Sequence, residues 1–504
     1  MKRITAWTLA LTIALLTGCA QIDESPADEL PFPPEESLEE ARAELPAVFA
    51  LPYLEGQPLN PLTCPDGVQQ TAASLLYEGL FQLDQTFTPQ PLLCASYTYD
   101  PGTLTYTLTL RDGVVFSDGS PLTAADVKAT LNAAKGSARY GGRLADVKRI
   151  AAGDGTVTLT LTRPNTSLPA LLDIPILKSG TEKQSIPLGT GPYLYDESGE
   201  SCLIASQNWW RRASQPVERV SLVGTADQES VLYRFSSREV QLIAADLTGT
   251  NPAAVSGSVS YDDADTTVFQ YLGVNVSAKG LDDAAFRRCL SLGINRKSLV
   301  GGLLSGHARA VQFPVSPVSP LYPADLEQAE SVAAFTEALN GCETRPSRTL
   351  RLLVNSENSF KVSMARQIAA AFSAAGINTE TVELPWEEYT AALAAGRFDL
   401  YYGEVRLTAD WDISSLLANG GSLNYGGWSD PQCDQLLEGC RSSENREAAL
   451  RGLCRYVRDQ APILPLCFKT VSVLYESDVL EGLAPTAADP FCGLENITIH
   501  LREN

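Results

Sequence analysis

Residues 350–404 limit the fold more than any other stretch, because strand and helix patterns alternate there without interruption. Residues 350–354 form a continuous apolar strand, and 360–375 read as a helix stopped by Gly376. Residues 377–384 are a second strand, 386–395 a second helix stopped by Gly396, and 398–402 a third strand. Strands joined in turn by helices predict parallel pairing with right-handed crossovers, hence a doubly wound α/β lobe. Such sheets take ligands at the carboxyl ends of their strands, which here means residues 384–386 and the segment after Tyr402.

The first part of the chain has a different texture. Residues 104–111 alternate apolar and polar, as a half-buried strand does, and Asp112-Gly113 and Asp118-Gly119 supply tight turns. Thr123 stands three residues before Asp126 at the head of the apolar-periodic run 127–134, which predicts a capping box. A further alternating strand covers 156–162 and stops at Pro164. Two lobes of unlike texture in 504 residues, too many for one ordinary core, place a ligand by default in the cleft between them. A composition 44% hydrophobic is that of a folded chain, and a net charge of −22 argues against nucleic acid and anionic lipid surfaces as partners.

Lys2 and Arg3 precede the apolar run 6–16, the pattern of an export signal too short to span a bilayer. It ends in Leu16-Thr17-Gly18-Cys19, which resembles a bacterial lipobox, so residues 1–19 are expected to be a signal and Cys19 a lipid anchor. Residues 20–45 are acidic and proline-rich and are expected to be a tether. The mature protein is thus expected on the outer face of the membrane. Eleven cysteines include Cys19; the other ten have no readable pairing, though Cys433 and Cys440 fall on one helix too far apart to bond. Two histidines, His307 and His500, and no Cys-x-x-Cys leave nothing to build a metal site, and no cofactor is expected.

Several segments resemble the bacterial extracellular solute-binding proteins of family 5, the oligopeptide, dipeptide and nickel group. The run begins with Leu76-Tyr77-Glu78-Gly79-Leu80-Phe81, passes through Pro89-Gln90-Pro91-Leu92-Leu93, and continues along 104–127. Gly189-Thr190-Gly191-Pro192-Tyr193, Tyr271-Leu272-Gly273-Val274-Asn275 and 286–296 extend it, so that the likeness covers about residue 48 to the C-terminus. One departure is Arg238-Glu239-Val240-Gln241, which stands where the family has Gly and Asp. The resemblance implies an α/β, two-lobed periplasmic-binding-protein-like class II fold with three subdomains. Residues 46–65, 187–275 and 470–504 would form subdomain I, 66–186 subdomain II, and 276–469 subdomain III, the α/β lobe. It also implies a monomeric, lipid-anchored substrate-binding component that passes a small solute, an oligopeptide or dipeptide first, to ABC permease subunits.

Ala409-Asp410-Trp411-Asp412 resembles the family segment whose first Asp meets the α-ammonium of a peptide, and a carboxylate there would offset the cost of burying that charge. Asp410 is the expected ligand contact and Asp412 the cap of the following helix. Trp411, Trp386, Tyr425, Tyr402 and Trp428 are the expected aromatic lining, a broad surface at low entropy cost. No Gly-x-Ser-x-Gly elbow, P-loop or histidine beside a nucleophile is present, so the chain is not expected to be an enzyme. The competing readings are a surface receptor or adhesin on the same fold and a hydrolase using Asp410 and Asp412.

Overall fold

The computed structural model describes residues 45–502 apart from 66, 197, 250–258 and 344. The expected signal, Cys19 and the tether up to residue 44 lie outside the described residues. Alternation in 104–111 becomes the strand Thr105–Leu110, with Tyr106, Leu108 and Leu110 buried and the threonines between them nearer the surface. Cys94–Asp100, Thr156–Leu161 and Val147–Ala152 complete an antiparallel four-stranded sheet, on which the helix Ala124–Lys135 packs. That helix starts as expected: Asp126 Oδ2 accepts from the Thr123 hydroxyl and, at 2.8 Å, from the Thr123 N–H. Asp126 Oδ1 accepts from Ser179 N–H at 2.8 Å, tying the helix start to a distant loop.

A second four-stranded sheet sets Phe49–Leu54 parallel to Arg219–Thr225, followed antiparallel by Cys202–Ala205 and Tyr193–Asp196. Both sheets share one apolar core, including Phe49, Phe81, Leu108, Val127 and Leu203, which makes them one lobe.

The alternating stretch gives Leu350–Asn355, helix Ser359–Ala374, Thr379–Leu384, helix Trp386–Ala394 and Leu400–Arg406, with Leu350–Asn355 parallel to both other strands. Both helices stop where predicted, at Gly376 and Gly396 with φ of +85° and +63°. The sheet is larger than these three strands. Leu400–Arg406 would leave an open edge, and the strand Val259–Val274 covers it antiparallel, itself paired antiparallel with Ile463–Glu476. The parallel strands are three of a mixed seven-stranded sheet.

These two long strands join the lobes. Residues 259–265 pair with 470–476 beside Leu242–Ala245, which is packed with Ala50 of the first lobe in a small core of its own. Residues 268–274 pair with 400–406 in the second lobe. Between the halves the register shifts from Asp265 to Phe269, and Thr266 fills the break: its hydroxyl donates to Lys469 O at 2.7 Å and accepts from Val268 N–H at 3.0 Å.

Arg238 explains the departure noted in the sequence. Its φ is +62°, a conformation that favours glycine, yet its guanidinium reaches Glu476 at 2.6 Å and Asp478 at 2.9 Å, and Glu476 is buried at the end of a long strand. Arg238 thus sets a left-handed backbone against a positive partner for a buried carboxyl.

Candidate functional site

The site begins with two glycines. A Cβ on Gly189 would lie 2.1 Å from Leu76 O, and one on Gly191 2.5 Å from the Leu76 carbonyl carbon, so only glycine lets these backbones meet. The approach allows Gly191 N–H and Tyr193 N–H to donate to Leu76 and Leu75 at 3.0 Å each. It also brings the Thr190 hydroxyl to Glu78 Oε2 at 2.9 Å. Glu78, 8% exposed, further accepts from Trp210 Nε1 at 2.7 Å and Trp209 Nε1 at 3.3 Å. Burial pushes its carboxyl up, against the pull of Trp210, Thr190 and Arg211. Arg211 lies over both indole rings at 5.5 and 5.3 Å, with Glu78 at 3.9 Å and Glu495 at 3.8 Å as its nearest acids.

Glu78, Trp209 and Arg211 face a cleft of about 1580 Å³ between the lobes. Its first-lobe wall carries Glu78, Phe87, Arg211 and Asp489; its second-lobe wall carries Arg406, Thr408 and Ala409; its floor is Asp263, Ala264, Asp265 and Thr267 of the first long strand. Asp263 and Asp265 are two apart on a strand and therefore share a face. Asp263 accepts from the Ser472 hydroxyl at 2.5 Å and lies 3.1 Å from His307 Nδ1, while Asp265 accepts from Arg309 Nε at 2.9 Å. Burial raises the Asp265 carboxyl and its neighbour Asp263 raises it further, with only Arg309 drawing it back. The floor thus sets two carboxylates against one guanidinium, with His307 beside Asp263. Across the cleft, burial also pushes Asp489 up to about 6, although it accepts from Phe491 N–H at 3.0 Å and Gln82 Nε2 at 3.1 Å.

None of the six expected contacts lines this cleft. Asp410 follows the lining residues Thr408 and Ala409 and borders a small separate cavity at the seam of the lobes, opposite Asn165 and beside Arg446. It accepts from the Thr408 hydroxyl, and its carbonyl accepts from Arg446 Nη2 at 2.8 Å. Burial raises its carboxyl, Asp412 adds to this, and Thr408 and Arg446 oppose it. Asp412 is not the cap expected of it: the N-cap position of the helix Ser414–Leu417 is Ile413, and Asp412, one residue earlier, accepts from Ser414 N–H at 2.8 Å and pairs with Arg441 at 2.8 Å. Trp411 is core, edge-on to Phe87 at 5.2 Å and Phe468 at 5.6 Å. Tyr402 is core too, its hydroxyl donating to Gln270 Oε1 at 2.7 Å. Tyr425 is half-buried against Tyr401, and Trp428 lies under Arg287 at 5.2 Å. Trp386 is 55% exposed, because the helix it begins turns Tyr389, Ala392 and Leu393 inward instead.

Some of the cleft residues that the sequence left unassigned had visible signals. Glu78 sits inside the most recognisable run and Trp209-Trp210-Arg211 is a rare cluster, whereas Asp263 and Asp265 lie in an acidic run with the polarity of a loop. Among the described residues no group of His, Cys, Asp or Glu is set to hold a metal ion, and no helix is long and apolar enough to cross a membrane.

Comparison with known proteins agrees with this fold. Residues 88–425 match the model of the bacterial extracellular solute-binding proteins, family 5. The glutathione-binding protein GsiB of Escherichia coli O1:K1 / APEC is 28% identical over 291 residues, 54% of this chain and 55% of that protein. The match thus spans about half the length of such relatives. Protein XP55 of Streptomyces lividans is 27% identical over 79% of both chains. The ABC transporter substrate-binding protein CtaP of Listeria monocytogenes superposes with a TM-score of 0.74 at 17% identity, covering 90% of this chain and all of that one. Its likeness establishes the two-lobed binding-protein fold.

Proposed function

The chain belongs to the bacterial extracellular solute-binding proteins of family 5, and on that footing we propose that it captures a small zwitterionic solute, a peptide first, between its lobes and delivers it to an ABC permease. The observation that carries this reading is the charge on the cleft: two carboxylates, Asp263 and Asp265, on the floor beside the single guanidinium of Arg309, with Arg211 and Arg406 on facing walls. A solute ammonium would supply the charge the floor lacks, and a solute carboxylate would suit a guanidinium. The lobes closing on the solute would hide both ends from water. Export under residues 1–19 and acylation of Cys19 complete the reading, since two acyl chains hold a protein on a membrane where one does not. Binding, not turnover, is the chemistry these groups support.

The test is titration calorimetry with di- to hexapeptides and with glutathione, each beside its N-acetylated form. Free amines are expected to bind and acetylated ones to lose about 10-fold or more, the worth of one charge-assisted hydrogen bond. Asp265→Asn is expected to weaken binding to a similar extent. Equal binding of acetylated and free peptides would remove the ammonium from the recognised chemistry. A loss in Asp410→Ala with none in Asp265→Asn would move the ammonium to the seam, where Asp410 was expected to receive it.

A further inference from the structure

Two helices of the second lobe, Ala284–Leu292 and Val332–Asn340, pack against each other. Cys289 is buried on the first, and Cys342 follows the glycine that ends the second. Their sulphurs lie 2.7 Å apart, closer than two thiols in ordinary contact and approaching the roughly 2.05 Å of a disulfide. The surroundings hold them there. Phe335 sits over Gly293 and against Phe372, so neither helix can slide without breaking that packing.

We propose that Cys289 and Cys342 are joined as a disulfide in the exported protein. The inference is independent of the ligand. It needs only an oxidising compartment, which an extracytoplasmic chain has.

The order of the chemistry follows from access. Cys342 is half-buried and reachable, whereas burial pushes the Cys289 thiol up to about 12. The Cys342 thiolate therefore attacks a disulfide oxidant, protein or small molecule; a new S–S bond forms, the oxidant's breaks, and one thiolate leaves. Cys289 then gives up its proton, aided by the nearby charges of Arg288 and Arg345, and its sulphur displaces the second thiol from Cys342. Two cysteines are oxidised and one disulfide is reduced to two thiols. The bridge joins residues 53 apart and encloses the helix Arg296–Leu303 and the strand Ala308–Ala310, so it restricts a large part of the unfolded lobe.

The experiment takes the full exported chain, blocks free thiols with iodoacetamide, digests it unreduced and reads the peptides by mass spectrometry. Cys289 and Cys342 are expected in one linked species, unlabelled and two hydrogens lighter than the separate peptides, which come apart and accept label on reduction. In thermal melting, dithiothreitol is expected to lower Tm on the order of 5 °C and to leave the Cys289→Ser, Cys342→Ser double variant unmoved. Label on both sulphurs after treatment with oxidised glutathione would overturn the proposal. So would a link from either cysteine to a third. Should the double variant fail to fold, the peptide masses decide alone.

Discussion

Asp489 shows how much one cleft residue can charge to the fold. Its carboxyl is pushed up to about 6 by burial, while an unfolded aspartate titrates near about 3.9. The folded state therefore binds the proton more tightly, and stability falls as pH climbs from about 4 to about 6 and stays lower above that. Asp489→Asn keeps the shape and the acceptor for Phe491 N–H. It is expected to stabilise the chain by about 1–2 kcal/mol at pH 7.5 and to do nothing at pH 4, read from urea midpoints at the two values. A gain equal at both pH values would mean that charge is not the cause. The same logic applies to Asp265, whose raised carboxyl implies that affinity for a cationic solute fades at a higher pH than an ordinary aspartate would dictate.

At the scale of elements, the turn after the helix Gln228–Ser236 balances strain against charge. Arg238→Gly would relieve a left-handed backbone worth about 1–2 kcal/mol, but would strand the buried carboxyl of Glu476, which burial already pushes to about 6. Losing a partner for a buried acid costs more than the strain, though Arg238 is partly exposed and the pair is screened accordingly. A net loss of about 1–2 kcal/mol is expected at pH 7.5, shrinking toward pH 5 as Glu476 takes up a proton; urea unfolding at both values checks it. Elements were legible where their causes are local. Periodicity and a terminal glycine fixed both helices and all three strands of 350–406 to within a few residues. The third strand runs on to Arg406, which moves its cleft-facing end to Thr408 and Ala409. The long strands were not legible, because their partners lie some 200 residues away and Asp262-Asp263-Ala264-Asp265 has the polarity of a loop. For the same reason the floor acids escaped notice while Asp410, set in a recognisable motif, did not. Trp411 and Tyr402 neighbour the expected ligand segment in sequence and are aromatic, but the core claims large aromatics first.

At the scale of the whole molecule the lobes also meet away from the long strands. Phe87 packs edge-on against Trp411, and Thr166 donates from its N–H to Arg441 O at 2.9 Å and from its hydroxyl to Ser443 O at 3.0 Å. An aromatic pair is worth about 0.5–1.5 kcal/mol beyond its buried area. Phe87→Ala is therefore expected to shift the ligand-free equilibrium about 2- to 10-fold toward separated lobes, seen as a larger radius of gyration in solution scattering, with Phe87→Leu intermediate. Unchanged scattering would mean that the strands alone set the angle between the lobes.

The volume of the cleft has its own consequence. At about 1580 Å³ it exceeds the roughly 300–1,000 Å³ of most drug-sized pockets, so a dipeptide would share the chamber with ordered water. Solute side chains would then meet hydration more often than protein, and water rearranges to suit whatever it surrounds. On the proposed reading, such a chamber would grip what all its guests have in common, their charged ends, and would be nearly indifferent to what distinguishes them.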